Sequence, residues 1–166
     1  MKKLVLAMAA LAVSAPAAVA DVIADGEKAF RVCASCHRVE GPDGLIGKAK
    51  GKTGPNLYGV PGRVVGSLET YATKSGKTKY KDGLIKAGEM GKTWDKDAFV
   101  AYIADPRGYI REFTGDPKAK AGMAAQKRAD GDAIWAYLVE VSPAVEAAEE
   151  APAEEAPAEA PAEATN

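Results

Sequence analysis

The chain of 166 residues is poor in the side chains from which metal and catalytic sites are built: it has two cysteines and a single histidine. A structural zinc site takes four protein ligands, and this set cannot supply them from Cys and His. Net charge is scarce too, −1 over the whole length. Residues 21–142 hold 20 Lys and Arg against 16 Asp and Glu, too small an excess to argue for a nucleic-acid partner. The apolar run at the start follows Lys2 and Lys3 and ends in Ala18-Val19-Ala20. It is too short and wrongly flanked for a lasting membrane span, so residues 1–20 read as a secretory signal peptide. Residues 143–166 lack aromatic and basic residues altogether and consist of Pro, Ala, Glu and a few small or polar residues. They offer nothing to a core. Between these ends lies one body, 21–142, long enough for a single modest core. A membrane protein and a two-domain enzyme are both excluded as readings.

The two cysteines and the histidine fall together in Cys33-Ala34-Ser35-Cys36-His37. Four chemistries compete for that group. An exported chain meets an oxidising compartment, where a disulfide is the ordinary fate of two thiols; a loop this small would stabilise little. A thioredoxin-like redox pair expects a βαβ context, whereas the flanks read as helix. Zinc lacks its fourth ligand. C-x-x-C-H is also the signature of covalent c-type haem attachment, and that reading alone uses all three residues. The thiols become thioethers to the haem vinyl groups, and His37 is carried to the iron as proximal ligand.

No second histidine exists, so a bis-histidine iron is excluded. After the leader only Met90 and Met123 remain as thioether donors. Met90, in Gly88-Glu89-Met90-Gly91, reads as an exposed loop methionine. Met123 lies near the end of the body, where a ligand can approach from the opposite half of the fold, and is the expected sixth ligand.

Local patterning predicts three helices. Asp25 can cap one that runs through Phe30 into the haem motif. Thr93 can cap a second, with Asp95 and Asp97 in its first turn and a stripe of Phe99, Tyr102 and Ile103, stopped at Asp105-Pro106. Ile134, Tyr137, Leu138 and Val141 mark the face of a third, ended by Ser142-Pro143. Residues 40–80 are rich in Gly, Lys and Pro and read as loop, with a haem as the apolar surface to wrap around.

The stretch Thr53-Gly54-Pro55-Asn56-Leu57-Tyr58-Gly59-Val60-Pro61-Gly62-Arg63 resembles the T-G-P-N-L-x-G-x-x-G-R segment of class I cytochromes c of the bacterial cytochrome c2 and c550 type. Similar segments follow at Lys79–Asp82, Thr93–Asp95, Tyr102–Pro106, Thr114–Asp116, Gly122-Met123 and Trp135–Leu138, so the resemblance covers essentially the whole body. It implies a small all-α fold in which N- and C-terminal helices cross, through Gly26 and Phe30 against Ile134 and Tyr137, with loops around one haem c. It implies that Pro55 offers its carbonyl to the free ring N–H of His37. It places Arg63, Tyr80 and Trp94 at the inner haem propionate and Tyr102 near the distal methionine. Two positions depart from the family: Ala121 and Ala125 stand where a hydroxyl residue and a phenylalanine are common. A more accessible distal edge, or a neighbour filling in, is the expectation.

With His37 and Met123 both bound, the iron would have no vacant site, and the protein would shuttle single electrons in the periplasm rather than act as an enzyme. By family analogy the donor is a cytochrome bc complex and the acceptor a reaction centre, a terminal oxidase or another periplasmic reductase. The expected form is a monomer with no stable membrane insertion, docking through cations such as Lys50, Lys52, Arg107, Lys118, Lys120, Lys127 and Arg128. The alternatives are a five-coordinate haem protein for gas sensing or peroxide reduction, with Met123 loose, and a haem-free thiol-disulfide oxidoreductase. The seven glutamates of residues 143–166 mark a disordered acidic tail. It is either a solubilising appendage or a tethered anion over the basic body, and ready screening of an extended polyanion favours the appendage.

Overall fold

The computed structural model describes residues 16–142, and most of the leader and the whole acidic tail lie outside the described residues. Five helices and one two-stranded sheet follow in the order α1 (Pro16–Phe30), β1 (Arg38–Gly41), β2 (Gly44–Lys50), α2 (Asp82–Glu89), α3 (Lys96–Ala104), α4 (Pro106–Thr114) and α5 (Gly131–Val141). Among the described residues no helix is long and apolar enough to cross a membrane.

The first and last helices form the crossing that the resemblance implies. Helix α5 buries Ile134, Tyr137 and Leu138 on one face, and the Phe30 ring of α1 packs on Tyr137 with centroids 5.9 Å apart. Burying side chains of this size contributes about 1.5–3 kcal/mol each. The approach depends on Gly26: a Cβ there would stand 2.1 Å from Tyr137 Cβ. Asp130 caps α5 by accepting from the Ala133 N–H, and Ser142 Oγ at its end accepts from the Gly59 N–H at 2.9 Å. Helix α1 begins earlier than the sequence reading has it. Ala17, Ala18 and Ala20 are strong helix formers, so the helix continues back through the expected cleavage site and Asp25 lies inside it, not at its cap.

Within the stretch read as loop, the chain makes a β-hairpin, so the fold is mostly helical and not purely α. Pro42-Asp43-Gly44 is a turn sequence, with Gly44 at φ +112°. Glu40 pairs with Leu45 and Arg38 with Lys50, and the register shift between them lets β2 carry extra residues. Gly47 sits in that shifted stretch at φ +68°, where a side chain would collide with the Glu27 carboxylate of α1.

The middle of the chain holds two helices the sequence reading does not contain. Helix α2 buries Gly83, Leu84 and Ala87, and a Cβ on Gly83 would lie 2.4 Å from the Ile110 side chain of α4. Glycines at both ends of so short a segment hide it from propensity. Pro106 does stop α3, but it also starts α4 at the first position, where a proline costs no hydrogen bond. The carboxylate of Asp105 accepts from the Gly108 N–H and so caps α4. Asp95, not Thr93, caps α3 by accepting from the Ala98 N–H at 2.7 Å.

Gly26→Ala forces a methyl group into the α1–α5 contact. Overpacking of this kind costs about 1–3 kcal/mol. The thermal midpoint of the haem-loaded protein should fall by several degrees, and an unchanged midpoint would disprove the tight crossing.

Candidate haem site

The C-x-x-C-H segment is a turn that prolongs α1. The Cys33 N–H donates to the Phe30 carbonyl at 2.8 Å, and the His37 N–H to the Cys33 carbonyl at 2.9 Å. Residues 51–55 then cross over it, with the Gly54 N–H donating to the Cys36 carbonyl at 2.7 Å and the Gly51 N–H to the His37 carbonyl at 3.2 Å. The approach admits no side chain: a Cβ on Gly54 would stand 2.4 Å from the His37 ring, and one on Gly51 2.4 Å from the Cys36 backbone.

That crossing sets the imidazole. His37 Nδ1 lies 2.8 Å from the Pro55 carbonyl oxygen, which can only accept, so Nδ1 carries the proton and Nε2 keeps a free lone pair. Burial holds the His37 pKa below its ordinary value, with the Pro55 contact opposing, and the ring is therefore neutral at neutral pH. A neutral imidazole oriented by a carbonyl on its far nitrogen is the usual form of a metal ligand. Cys33 and Cys36 are both free thiols, the first half-buried and the second exposed. Burial, and then the neighbouring Cys36, push the Cys33 thiol up to about 11. A disulfide-exchange nucleophile needs the opposite, a thiolate at neutral pH. Among the described residues no cluster of three or more His, Cys, Asp or Glu is placed to hold a metal ion. Two unpaired thiols beside one oriented, neutral histidine fit a covalently attached haem.

A second group of expected residues gathers on α3 and the loop that faces it. Arg63 and Trp94 are joined through their backbones, the Trp94 N–H donating to the Arg63 carbonyl at 2.9 Å. The Arg63 guanidinium donates to the carbonyls of Tyr58 and Asn56. Burial lowers its pKa, and the nearby Tyr80 hydroxyl acts in the other direction. Trp94 meets Tyr102 edge-on at 5.0 Å, and the buried Tyr102 hydroxyl donates to the Ala121 carbonyl at 3.3 Å. Burial also raises the Tyr102 pKa, so this hydroxyl stays protonated. Met123, two residues on, is partly buried against the core, whereas Met90 is 52 % exposed at the end of α2. Ala121 is buried and Ala125 exposed. Residues 121–124 line an open cleft of about 570 Å³ together with Lys81, Arg107, Arg111, Lys118 and Lys120.

Two residues without an assigned role in the sequence reading connect these groups. Asn56 clamps the hairpin, accepting from the Glu40 N–H and donating to the Glu40 carbonyl at 2.7 Å. Tyr71 donates its hydroxyl to the Thr53 carbonyl at 2.8 Å and packs edge-on against Tyr80 at 4.9 Å. Asn56 lies within a quoted motif; Tyr71 stands in a polar loop and carries no local signal beyond being one of six tyrosines.

Acid-acetone extraction of the matured protein should leave the colour on the chain, and freely extracted haem would refute thioether attachment. Cys33→Ala or Cys36→Ala should sharply lower the yield of haem-loaded protein, because so small and loop-rich a body lacks enough core without its cofactor.

No protein-family profile matches the chain. Individual relatives do. Cytochrome c-551 of Roseobacter denitrificans is 45% identical over 117 residues, 70% of this chain and 78% of that protein. Cytochrome c2 of Rhodobacter capsulatus is 40% identical over 134 residues, 81% and 92% of the two chains. Among solved structures, cytochrome c2 from Rhodobacter sphaeroides superposes with a TM-score of 0.63 at 40% identity, covering 72% of this chain and 95% of that one. Ferric cytochrome c-550 from Paracoccus versutus gives 0.63 at 38%, covering 73% and 98%. The chain thus belongs to the class I c-type cytochromes, of the cytochrome c2 and c-550 kind, and is an electron carrier with one covalently attached haem c, not an enzyme.

Proposed function

We propose that this protein is a periplasmic one-electron carrier in which Cys33 and Cys36 hold the haem and His37 and Met123 are its axial ligands. The observation that carries this reading is the His37–Pro55 contact, which turns a neutral imidazole so that only Nε2 is available. The sixth position goes to Met123, partly buried on the segment that Tyr102 tethers, while Met90 points to solvent. When bound, the haem supplies a one-electron ferric/ferrous couple; a thioether ligand favours the ferrous form and raises the potential. With His37 and Met123 both bound to it, the iron would offer dioxygen and peroxide no open site. Arg63, Tyr80 and Trp94 are assigned to the inner propionate, where a partly desolvated guanidinium matches a buried carboxylate. Electrons come from a cytochrome bc complex and leave to a reaction centre, an oxidase or another periplasmic reductase, with cations around Met123 steering acidic partners. The open cleft at residues 121–124 keeps one competing reading in view, a five-coordinate haem with Met123 displaced.

Met123→Ala should open the site, lower the potential and let carbon monoxide bind the ferrous form, whereas Met90→Ala should leave the potential nearly unchanged. The reverse pattern would overturn the ligand assignment, and carbon monoxide binding to the unaltered protein would favour the five-coordinate reading. Electron transfer to an acidic partner should slow as salt rises from about 0.01 M to about 0.15 M, because the screening length shrinks from about 30 Å to about 8 Å. A rate constant independent of salt would rule out steering by charge.

A further inference from the structure

The open cleft beside Met123 is lined by Lys81, Arg107, Arg111, Lys118 and Lys120. The ion pairs among the described residues, Arg38–Glu40, Lys92–Asp95 and Lys96–Asp132, involve none of these five. Two carboxylates lie close by, Asp82, which accepts from the Gly83 and Lys120 N–H groups, and Asp116, which accepts from the Lys118 N–H, and the five cations outnumber them. The cleft therefore gathers more positive charge than its surroundings neutralise. Gly122, at φ +79°, lies so close to the Lys81 stem that a Cβ there would be 2.7 Å from Lys81 Cγ, which holds Lys81 beside the Met123 segment.

We propose that residues 143–166 of this same chain seat on that cleft and compete there with acidic redox partners. The segment begins directly after Ser142, whose place is fixed by its hydrogen bond from Gly59. It carries seven glutamates and no basic residue over 24 residues. A stretch of 24 residues can reach at most about 80 Å. A body of this size has a radius of gyration of about 14 Å, and the path half-way round it, about 55–60 Å, lies within that limit. Prolines at 152, 157 and 161 stand between its glutamates. Tethering gives a local concentration of about millimolar, enough for several weak charge pairs to act together. The alternative basic hollow, around Arg38, Lys52 and Lys79, is smaller at about 170 Å³. There Arg38 is already paired with Glu40, and Lys79 lies over the Tyr71 ring. Screening, which favours a passive appendage for a tail facing scattered lysines, is weaker against cations gathered in one cleft.

Carbodiimide treatment of the full-length, haem-loaded protein tests the contact directly, since it condenses a glutamate with a neighbouring lysine into an amide with loss of water. Peptide mapping should join tail glutamates to Lys81, Lys118 or Lys120; links confined to Lys48–Lys52 or Lys74–Lys79, or none within the chain, would overturn the proposal. The rate consequence rests on the electron-carrier reading. Truncation after Ser142 should speed oxidation of the ferrous protein by ferricyanide several-fold at low salt, with the gain lost at high salt. That gain should also shrink when Arg107, Lys118 and Lys120 are all changed to Gln. Equal rates at every salt concentration, or a gain indifferent to the cleft substitutions, would refute competition at this site. A lost methionine–iron absorption band with the cross-links intact would instead fault the ligand assignment and leave the tail contact standing.

Discussion

The geometry of this site depends on one backbone carbonyl reaching one imidazole nitrogen. For Pro55 to accept from His37 Nδ1 at 2.8 Å, the chain must leave the haem motif, turn and pass back across it within eighteen residues. The hairpin does this. Strand β1 begins at Arg38, immediately after the histidine, and its partner in β2 is Lys50, immediately before the crossing segment. The pairing returns the chain to its starting point, and Gly51 and Gly54 then let it lie against the motif with no side chain between. Lengthening or slipping the hairpin would move Pro55 away from the ring and free the imidazole to rotate.

The same economy of backbone contacts extends to the far side of the site. Asn56 ties the crossing segment to β1, and Tyr71 ties it to Tyr80. Arg63 is fixed by two carbonyls and by its backbone link to Trp94, and Trp94 packs on Tyr102. Tyr102 closes the sequence at the Ala121 carbonyl, beside Met123. Few of these are contacts between regular elements. The helices supply a rigid frame through the α1–α5 crossing, and loops held by side-chain-to-carbonyl bonds carry the chemistry. No buried side-chain nitrogen or oxygen among the described residues is left without a partner, so this loop-rich region meets the hydrogen-bonding demand that burial imposes.

Legibility in the sequence followed the range of the physics involved. Periodicity over eleven residues marks α5 and its buried face, and C-x-x-C-H carries its chemistry within five. Cap positions were harder to place, because capping depends on which neighbour the backbone turns toward: Asp95 takes the role expected of Thr93, and Asp25 lies inside a longer helix. The hairpin's turn was signalled by Pro42-Asp43-Gly44, but its strands alternate poorly, with Val39 and Ala49 as their only buried side chains. Helices α2 and α4 are short and glycine-containing, and their stability comes from packing on each other through Gly83 and Ile110, a tertiary fact that no local window contains. Tyr71 was invisible for the same reason, since its partner carbonyl lies eighteen residues away.

The alanines at 121 and 125 stand where the family resemblance implies a hydroxyl and a phenylalanine, and the segment around Met123 is held without either. At position 121 a hydroxyl is missing, yet the segment is still tied to α3, because the donor comes from Tyr102 and the acceptor is the Ala121 backbone. Further along, the Gln126 N–H donates to the Ile103 carbonyl at 2.7 Å, a second anchor on the same helix. Between these anchors Ala124 and Ala125 are exposed and small. The segment is therefore positioned by its backbone and left open by its side chains. Under the proposed assignment of Met123 that division suits an electron carrier, since electron transfer needs a fixed ligand together with close approach by a partner. The cations around the opening, Lys81, Arg107, Arg111, Lys118 and Lys120, give it a positive field that would favour the approach of acidic surfaces.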